Sequence, residues 1–173
     1  NRWHPPRRPL RHSFTYYSRL TERMSHRRLT AMKTVHATAV AFDGNGVLLR
    51  GPSGAGKSDL ALRLLDAGGV LISDDRVELS VLNDSIVARV PETIAGKLEV
   101  RGFGIVQVSY VSEAPIKLIA DLVNGWQIER LPENHTTLVL GRKVRAILLN
   151  PFESSAVAKL KMALTLNPIK IER

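Results

Sequence analysis

Cysteine is absent from this chain of 173 residues, and its absence excludes several classes of protein. Without thiols there is no disulfide scaffold, no thiolate zinc site and no cysteine nucleophile. Long apolar runs are also missing, because no stretch approaches the roughly 20 consecutive apolar residues of a membrane helix. The N-terminal arginines are not followed by the apolar core of a secretory signal. We therefore expect a protein without a membrane partner.

Acidic residues are scarce at the N-terminus, where most of the excess positive charge lies. The chain carries 25 Lys and Arg against 16 Asp and Glu, which gives a formal net charge of +9. Residues 1–33 hold nine of the basic side chains and one acidic side chain, so residues 34–173 are almost neutral. Because the excess is not spread over a face of the fold, it does not indicate a nucleic-acid partner.

Residues 1–33 are predicted to form a disordered basic leader. They combine prolines with arginines and lack the apolar periodicity of a strand or a helix. Three interpretations stay open: a non-native segment that arises from cloning or start-site choice, a flexible arm that contacts an acidic partner, and an Arg-rich transit peptide.

Residues 34–173 are predicted to form one α/β domain. Apolar patterns and turn residues predict strands, and these cover residues 35–42, 47–50, 70–72, 77–82, 86–90, 105–108, 116–123, 137–140 and 144–149. Helical spacing of apolar residues predicts helices over 57–67 and 154–164. The simplest arrangement is a central mixed sheet with appended β-hairpins and a C-terminal helix.

The segment that follows the strand at residues 47–50 carries the most specific motif. It matches G-x-x-x-x-G-K-[ST] through Gly51, Pro52, Ser53, Gly54, Ala55, Gly56, Lys57 and Ser58. The glycines let backbone N–H groups turn toward phosphate oxygens, and the following helix N-terminus adds partial positive charge. Lys57 is then placed to meet the outer phosphates, and Ser58 to ligate Mg²⁺. The motif predicts a nucleotide- or polyphosphate-binding loop; the alternative is a Gly-rich turn without a ligand.

Asp74 and Asp75 follow the short apolar strand at residues 70–72. If that strand lies next to the strand before the loop, both carboxylates reach the sheet edge at which ligands bind. One carboxylate can hold Mg²⁺, directly or through water, and the other can accept the proton of an attacking hydroxyl. The alternative is that the pair only caps a turn before Arg76.

Two further candidates are less specific. Glu99 and Arg101 are alternate residues close to Gly102 and Gly104, which permit close backbone approach. Such an acid and arginine supply a metal ligand and a phosphate clamp, or else only a surface ion pair. His36 stands alone on an apolar strand, where a buried core histidine is the common outcome.

Together these segments resemble the catalytic domain of the bacterial HPr kinase/phosphorylase family, whose members phosphorylate a serine of the phosphocarrier protein HPr. The resemblance covers residues 35 to about 131. It rests on Val35 and His36, the loop GPSGAGKSD, the segment ISDDRV and the signature-like segment LEVRGFGI. The last segment is the discriminating one, because a P-loop alone fits many families.

The resemblance implies a P-loop kinase-like fold and a role for each candidate. The implied catalytic residues are Asp75 as the base, His36, Lys57 as the P-loop lysine, and Arg101 or Arg130 as a phosphate clamp. The implied metal ligands are Ser58 and Glu99, with Asp74 as a third candidate from its position. ATP and Mg²⁺ are the implied cofactors, an HPr-like carrier is the implied partner, and a bacterial cytoplasm is the implied location. A homo-oligomer, commonly a hexamer, is also implied.

Two departures from the family pattern modify these expectations. The separate N-terminal domain of the family is not found before His36, which suggests a short form. Where the family carries an Arg-Pro-Gly-Arg-Asn run tied to dephosphorylation, this chain reads Asn150-Pro151-Phe152-Glu153-Ser154. Because positive charge is lost there, we expect weak or absent phosphorylase activity. Two other functions stay open: a small-molecule kinase, and a regulator that binds nucleotide and controls a partner.

Overall fold

The computed structural model describes residues 32–133 and 135–168, and within these ranges it contains eleven β-strands and two α-helices. The strands are β1 Met32–His36, β2 Thr38–Phe42, β3 Asn45–Arg50, β4 Val70–Ser73, β5 Arg76–Leu82, β6 Ser85–Arg89, β7 Lys97–Val100, β8 Gly104–Gln107, β9 Glu113–Leu122, β10 His135–Val139 and β11 Arg142–Leu149. The helices are α1 Lys57–Asp66 and α2 Ala156–Thr165, with 3₁₀ turns at Glu92–Ile94 and Gly125–Gln127.

Most strands join one mixed sheet in the order β1-β5-β6-β9-β3-β2-β4. The long strand β9 is its centre, since β3 and β11 pair parallel to it and β6 pairs antiparallel. Strand β10 extends β11, and β7 and β8 form a separate hairpin. The predicted α/β fold with a mixed sheet, appended hairpins and a C-terminal helix is confirmed.

Strand β4 does not lie next to β3, so the expectation that the strand before Asp74 neighbours the strand before the loop is wrong. The tight turn after Phe42 folds β2 back beside β3, and β4 then takes the open side of β2. Because β2 is antiparallel to both neighbours, β3 and β4 still run in the same direction. Their carboxyl ends therefore reach the same edge of the sheet, with β2 between them.

The centre of the sheet is covered on both faces, which explains its continuous apolar strands. Along β3, Leu48 packs into one apolar cluster, and its neighbours Val47 and Leu49 pack into a second cluster on the opposite face. Leu60 and Leu64 of α1 are fully buried in that second cluster. This packing fixes the start of α1 at the end of β3, where the loop motif lies.

The strand predicted over residues 35–42 is two strands, β1 and β2, which are interrupted at Ala37. Ala37 is fully buried, and β1 leaves β2 to pair with β5. The strand β7 was not predicted. Strand β1 starts at Met32, two residues before the predicted domain start, and the predictions for residues 1–31 lie outside the described residues. Within the described part of the chain, helices are too short or too polar to cross a membrane.

Candidate active site

The predicted phosphate-binding loop joins β3 to α1, and α1 begins at Lys57 as expected. Gly54 and Gly56 have φ of 80° and 85°, the left-handed region that favours glycine. Ala55 N donates to the Pro52 carbonyl at 3.1 Å, which closes a tight turn. The N-terminus of α1 therefore opens into the space beside the loop, as anion binding requires.

A cavity of about 440 Å³ lies beside this loop and collects most of the predicted site residues. Its lining includes, among these, His36, Ser53, Gly54, Gly56, Lys57, Ser58, Asp74, Asp75, Glu99 and Arg101. Arg130 is exposed and is not part of the lining, and neither are Gly51, Pro52 and Ala55. The structure thus brings predicted site residues from four separate segments of the chain to one cavity.

Lys57 is held inside the loop by backbone carbonyl groups of other loop residues. Its Nζ donates to the carbonyl oxygens of Gly51 at 2.8 Å and Pro52 at 2.9 Å, and the residue is 7% exposed. Burial lowers the pKa of Lys57 below its ordinary value, although the carboxylates of Asp74 and Asp75 oppose this effect. The ammonium is therefore placed next to the glycine turn with little hydration to lose when it meets an anion.

Asp74 is a buried carboxylate that ties three elements together. Its Oδ1 accepts hydrogen bonds from Thr38 Oγ1 at 2.7 Å and Ser58 Oγ at 2.9 Å, and its Oδ2 accepts the Glu99 backbone N–H at 3.2 Å. Because protein donors engage both oxygens, Asp74 is better suited to orient Ser58 than to bind a metal directly. The alternative interpretation, in which the two aspartates only cap a turn before Arg76, does not account for these side-chain contacts of Asp74.

Asp75 has the opposite environment, since its side chain is 67% exposed and lines the cavity. Its φ of 71° is unusual for a residue other than glycine. The backbone is held there by hydrogen bonds, because its carbonyl accepts Ala37 N–H at 3.2 Å and Arg76 N–H binds the preceding Asp74 carbonyl at 2.9 Å. The turn aims the carboxylate away from the sheet and toward solvent in the cavity.

His36, at the end of β1, contacts Asp75. Its Nδ1 lies 3.0 Å from the Asp75 carbonyl oxygen and 3.0 Å from Oδ1 of the same residue. Both are acceptors, so Nδ1 carries the hydrogen. The side chain is 51% exposed, which makes the core-histidine alternative wrong.

Glu99 and Arg101 enter the cavity from the β7–β8 hairpin. Glu99 is the third residue of β7, and Arg101 follows the end of that strand; both are exposed. Gly102 has φ of 80°, which permits the sharp turn between the strands. The hairpin thus presents one acidic and one basic side chain to the cavity beside the loop.

The donor set fits a magnesium ion bound together with phosphate. Ser58 gives its hydroxyl hydrogen to Asp74, so the oxygen lone pairs are free for a cation, and the Glu99 carboxylate lines the same cavity. Mg²⁺ at phosphate sites takes few protein ligands and completes its shell with water and phosphate oxygens. The described residues contain no cluster of three or more acidic or histidine side chains that could hold a metal by themselves.

Five lining residues were not predicted as site residues: Thr38, Asp59, Leu62, Val100 and Phe152. Thr38 had a signal, because a polar residue in an apolar strand needs a buried partner. Leu62 is one of several apolar residues of the predicted helix α1, so its sequence context gives no signal for a place in the site. Phe152 lies in the segment that departs from the family pattern, where the sequence indicates only a change of charge, from two arginines to one acidic residue. The ring is 70% exposed.

Fold and site together define a class of protein: an α/β domain whose glycine-rich loop, central lysine and neighbouring carboxylates suit phosphoryl groups. The family model described as the HPr Serine kinase C-terminal domain matches residues 27–160, and the chain belongs to this family.

Relatives agree with this assignment. The chain is 34% identical over 155 residues to HPr kinase/phosphorylase of Bordetella pertussis, a match that covers 83% of this chain and 50% of that protein. It is 36% identical over 120 residues to HPr kinase/phosphorylase of Lactobacillus acidophilus, a match that covers 65% and 37%. The solved structure of the Hpr(Ser) kinase/phosphatase from Coxiella burnetii matches with a TM-score of 0.67 and 28% identity, covering 76% of this chain and 87% of that one. The chain spans half or less of the curated relatives' length.

Proposed function

We propose that this domain is a protein-serine kinase that transfers the γ-phosphoryl group of ATP to a serine of HPr or an HPr-like phosphocarrier. The observation that carries the proposal is the position of Asp75. Its carboxylate is 67% exposed on the cavity that also holds Lys57 and Ser58. A general base must be reachable by the hydroxyl it deprotonates, and a large acceptor needs an open approach.

The donor side of the reaction belongs to the loop and its neighbours. Backbone N–H groups of the glycine turn and the Lys57 ammonium bind the phosphates, while Ser58 and Glu99 would hold Mg²⁺, with Asp74 orienting Ser58. When bound, Mg²⁺ would supply positive charge beside the phosphates. Phosphoryl transfer depends mostly on such positioning and charge stabilisation, which these side chains supply.

The acceptor side belongs to Asp75, His36 and Arg101. The serine oxygen forms a bond to the γ-phosphorus, the bond from that phosphorus to the bridging oxygen breaks, and ADP leaves. Asp75 takes the proton of the serine hydroxyl, and the His36 N–H keeps its carboxylate in place. We assign the phosphate clamp to Arg101 and not to Arg130, because Arg101 lines the cavity.

The proposal includes weak or absent phosphorylase activity. That reaction needs inorganic phosphate as a nucleophile, so it benefits from positive charge beside the loop. In the segment after β11, the residue that lines the cavity is Phe152, and the following Glu153 forms an ion pair with Lys159. Incubation of serine-phosphorylated carrier with phosphate and the enzyme tests this point. We expect little pyrophosphate, and brisk release would contradict it.

The proposal also includes a homo-oligomer in a bacterial cytoplasm, hexameric as the family resemblance implies. An assembled protein offers each site a neighbouring subunit that can help to hold a protein substrate. Mass photometry of the purified chain gives the assembly directly. A monomer that phosphorylates the carrier at full rate would remove this part of the proposal and leave the chemistry intact.

The deciding experiment uses ATP labelled at the γ-phosphate and purified HPr-like carriers, in the presence and absence of Mg²⁺. We expect label on a carrier serine only with the metal. A small-molecule kinase would label a metabolite in a cell extract and leave the carriers unlabelled. A nucleotide-sensing regulator would bind ATP and label neither, so each rival gives its own result.

A further inference from the structure

Phe152 is a large aromatic side chain in a cavity otherwise dominated by polar groups. Its ring is 70% exposed and lies against the last glycine of the loop: a Cβ built on Gly56 would be 3.2 Å from the ring Cζ. Leu62, 39% exposed, lines the same cavity from the second turn of α1. An exposed phenylalanine beside a phosphate loop offers apolar area that neither Mg²⁺ nor phosphate can use.

The turn that carries Phe152 is braced on both sides. Arg63 of α1 donates to the Pro151 carbonyl, and Phe152 N–H donates to Asn150 Oδ1 at 3.1 Å. Glu153 is paired with Lys159 of α2, and the Lys159 hydrogen bond lowers the pKa of Glu153. The ring is therefore presented from a fixed backbone, as a stacking surface should be.

The first residues of α1 connect to two other parts of the site. Ser58 faces Asp74 through a hydrogen bond, and this is the side of the carboxylates. The next residue, Asp59, pairs with Arg63, and Arg63 reaches the turn of Phe152. The cavity beside the loop therefore holds the carboxylates of Asp74 and Asp75, the Asp59 carboxylate paired with Arg63, and the apolar ring of Phe152.

We propose that Phe152, in a cavity that Leu62 also lines, is the nucleobase platform of this site, so that the site binds a nucleoside triphosphate in preference to pyrophosphate or another inorganic polyphosphate. The inference rests on the proposed function, which takes the loop as the donor site and ATP as the donor, and adds the residue that binds the base. We expect the group that stacks on Phe152 to be a nucleobase, because a base attached to loop-bound phosphates stays close to the loop. A phenyl ring stacks on any base, so the platform favours nucleotides over inorganic polyphosphates without choosing between adenine and guanine.

The test compares the affinities of Mg²⁺-ATP, Mg²⁺-GTP and Mg²⁺-tripolyphosphate by calorimetry, for wild type and Phe152→Ala. Loss of one base–aromatic stack should weaken both nucleotides by about five- to a hundredfold. Tripolyphosphate has no base, so its affinity should stay the same and also report that the loop is intact. Phe152→Trp should retain the nucleotide affinities, because it keeps an aromatic face.

Phe103 supplies the matched control. It is 80% exposed at the β7–β8 turn and is not part of the cavity lining, so Phe103→Ala should leave all three affinities unchanged. An equal loss for ATP and tripolyphosphate in Phe152→Ala would overturn the inference, and so would an unchanged affinity for ATP. These titrations need no phosphoryl transfer. Failure of the kinase proposal would therefore show separately, as absence of label on any carrier.

Discussion

His36 Nδ1 lies 3.0 Å from Oδ1 and 3.0 Å from the carbonyl oxygen of Asp75. One N–H group therefore faces two acceptors of the same residue, and it fixes the carboxylate relative to its own backbone. Asp75 has a left-handed φ of 71°, a conformation that needs support from its surroundings. The contact gives His36 a positioning role for the proposed base.

Replacement of His36 by Ala should lower kcat by about tenfold or more, because a hydrogen bond to a charged group is lost. The affinity for Mg²⁺-ATP should not change, since the loop does not depend on this contact. Steady-state kinetics beside nucleotide titration separates the two effects. His36→Asn, which keeps an N–H donor, should recover part of the rate. His135 is an exposed histidine of β10 outside the cavity lining, and His135→Ala is the matched control. Equal rates for the two alanine variants would contradict the positioning role.

Thr38 is fully buried and donates to Asp74 at 2.7 Å. Thr38→Val keeps the shape and removes the donor, so the free energy of unfolding should fall by about 1–3 kcal/mol. Urea denaturation measures this change. Thr34→Val on exposed β1 should alter the same quantity by less than about 0.5 kcal/mol. If both variants were equally stable, Asp74 would not depend on Thr38.

Because of Lys57, the affinity for nucleotide should fall as the pH rises into the alkaline range. Burial lowers the pKa of this ammonium in the free protein, and bound phosphates raise it. Between the two pKa values the complex is protonated and the free protein is not, so binding takes up a proton and weakens as pH rises. Calorimetry in two buffers of different ionisation enthalpy measures the uptake. Lys57→Arg stays protonated and should show none, whereas equal uptake in both proteins would assign the proton to another group.

The fold and much of the candidate site were predictable from sequence because their signals are local. The loop motif fixes the β3–α1 junction, and apolar periodicity fixes most strands. The pairing of β4 with β2 and the strand break at Ala37 depend on tertiary packing, which periodicity does not encode. Opposite environments for the adjacent Asp74 and Asp75 come from a backbone turn held by distant residues. Phe152 reaches the cavity only through the packing of its turn against α1.

The central claim is that Asp75 accepts the proton of a carrier serine. Its most direct test is transfer of label from γ-labelled ATP to the carrier by wild type, Asp75→Asn and Asp43→Asn, with ATP affinity measured in parallel. Asp43 is another exposed aspartate with positive φ, at 48°, and it lies outside the cavity lining. We predict that Asp75→Asn loses about a hundredfold or more in transfer rate while ATP still binds, and that Asp43→Asn transfers normally. Transfer by Asp75→Asn at the wild-type rate would contradict the account.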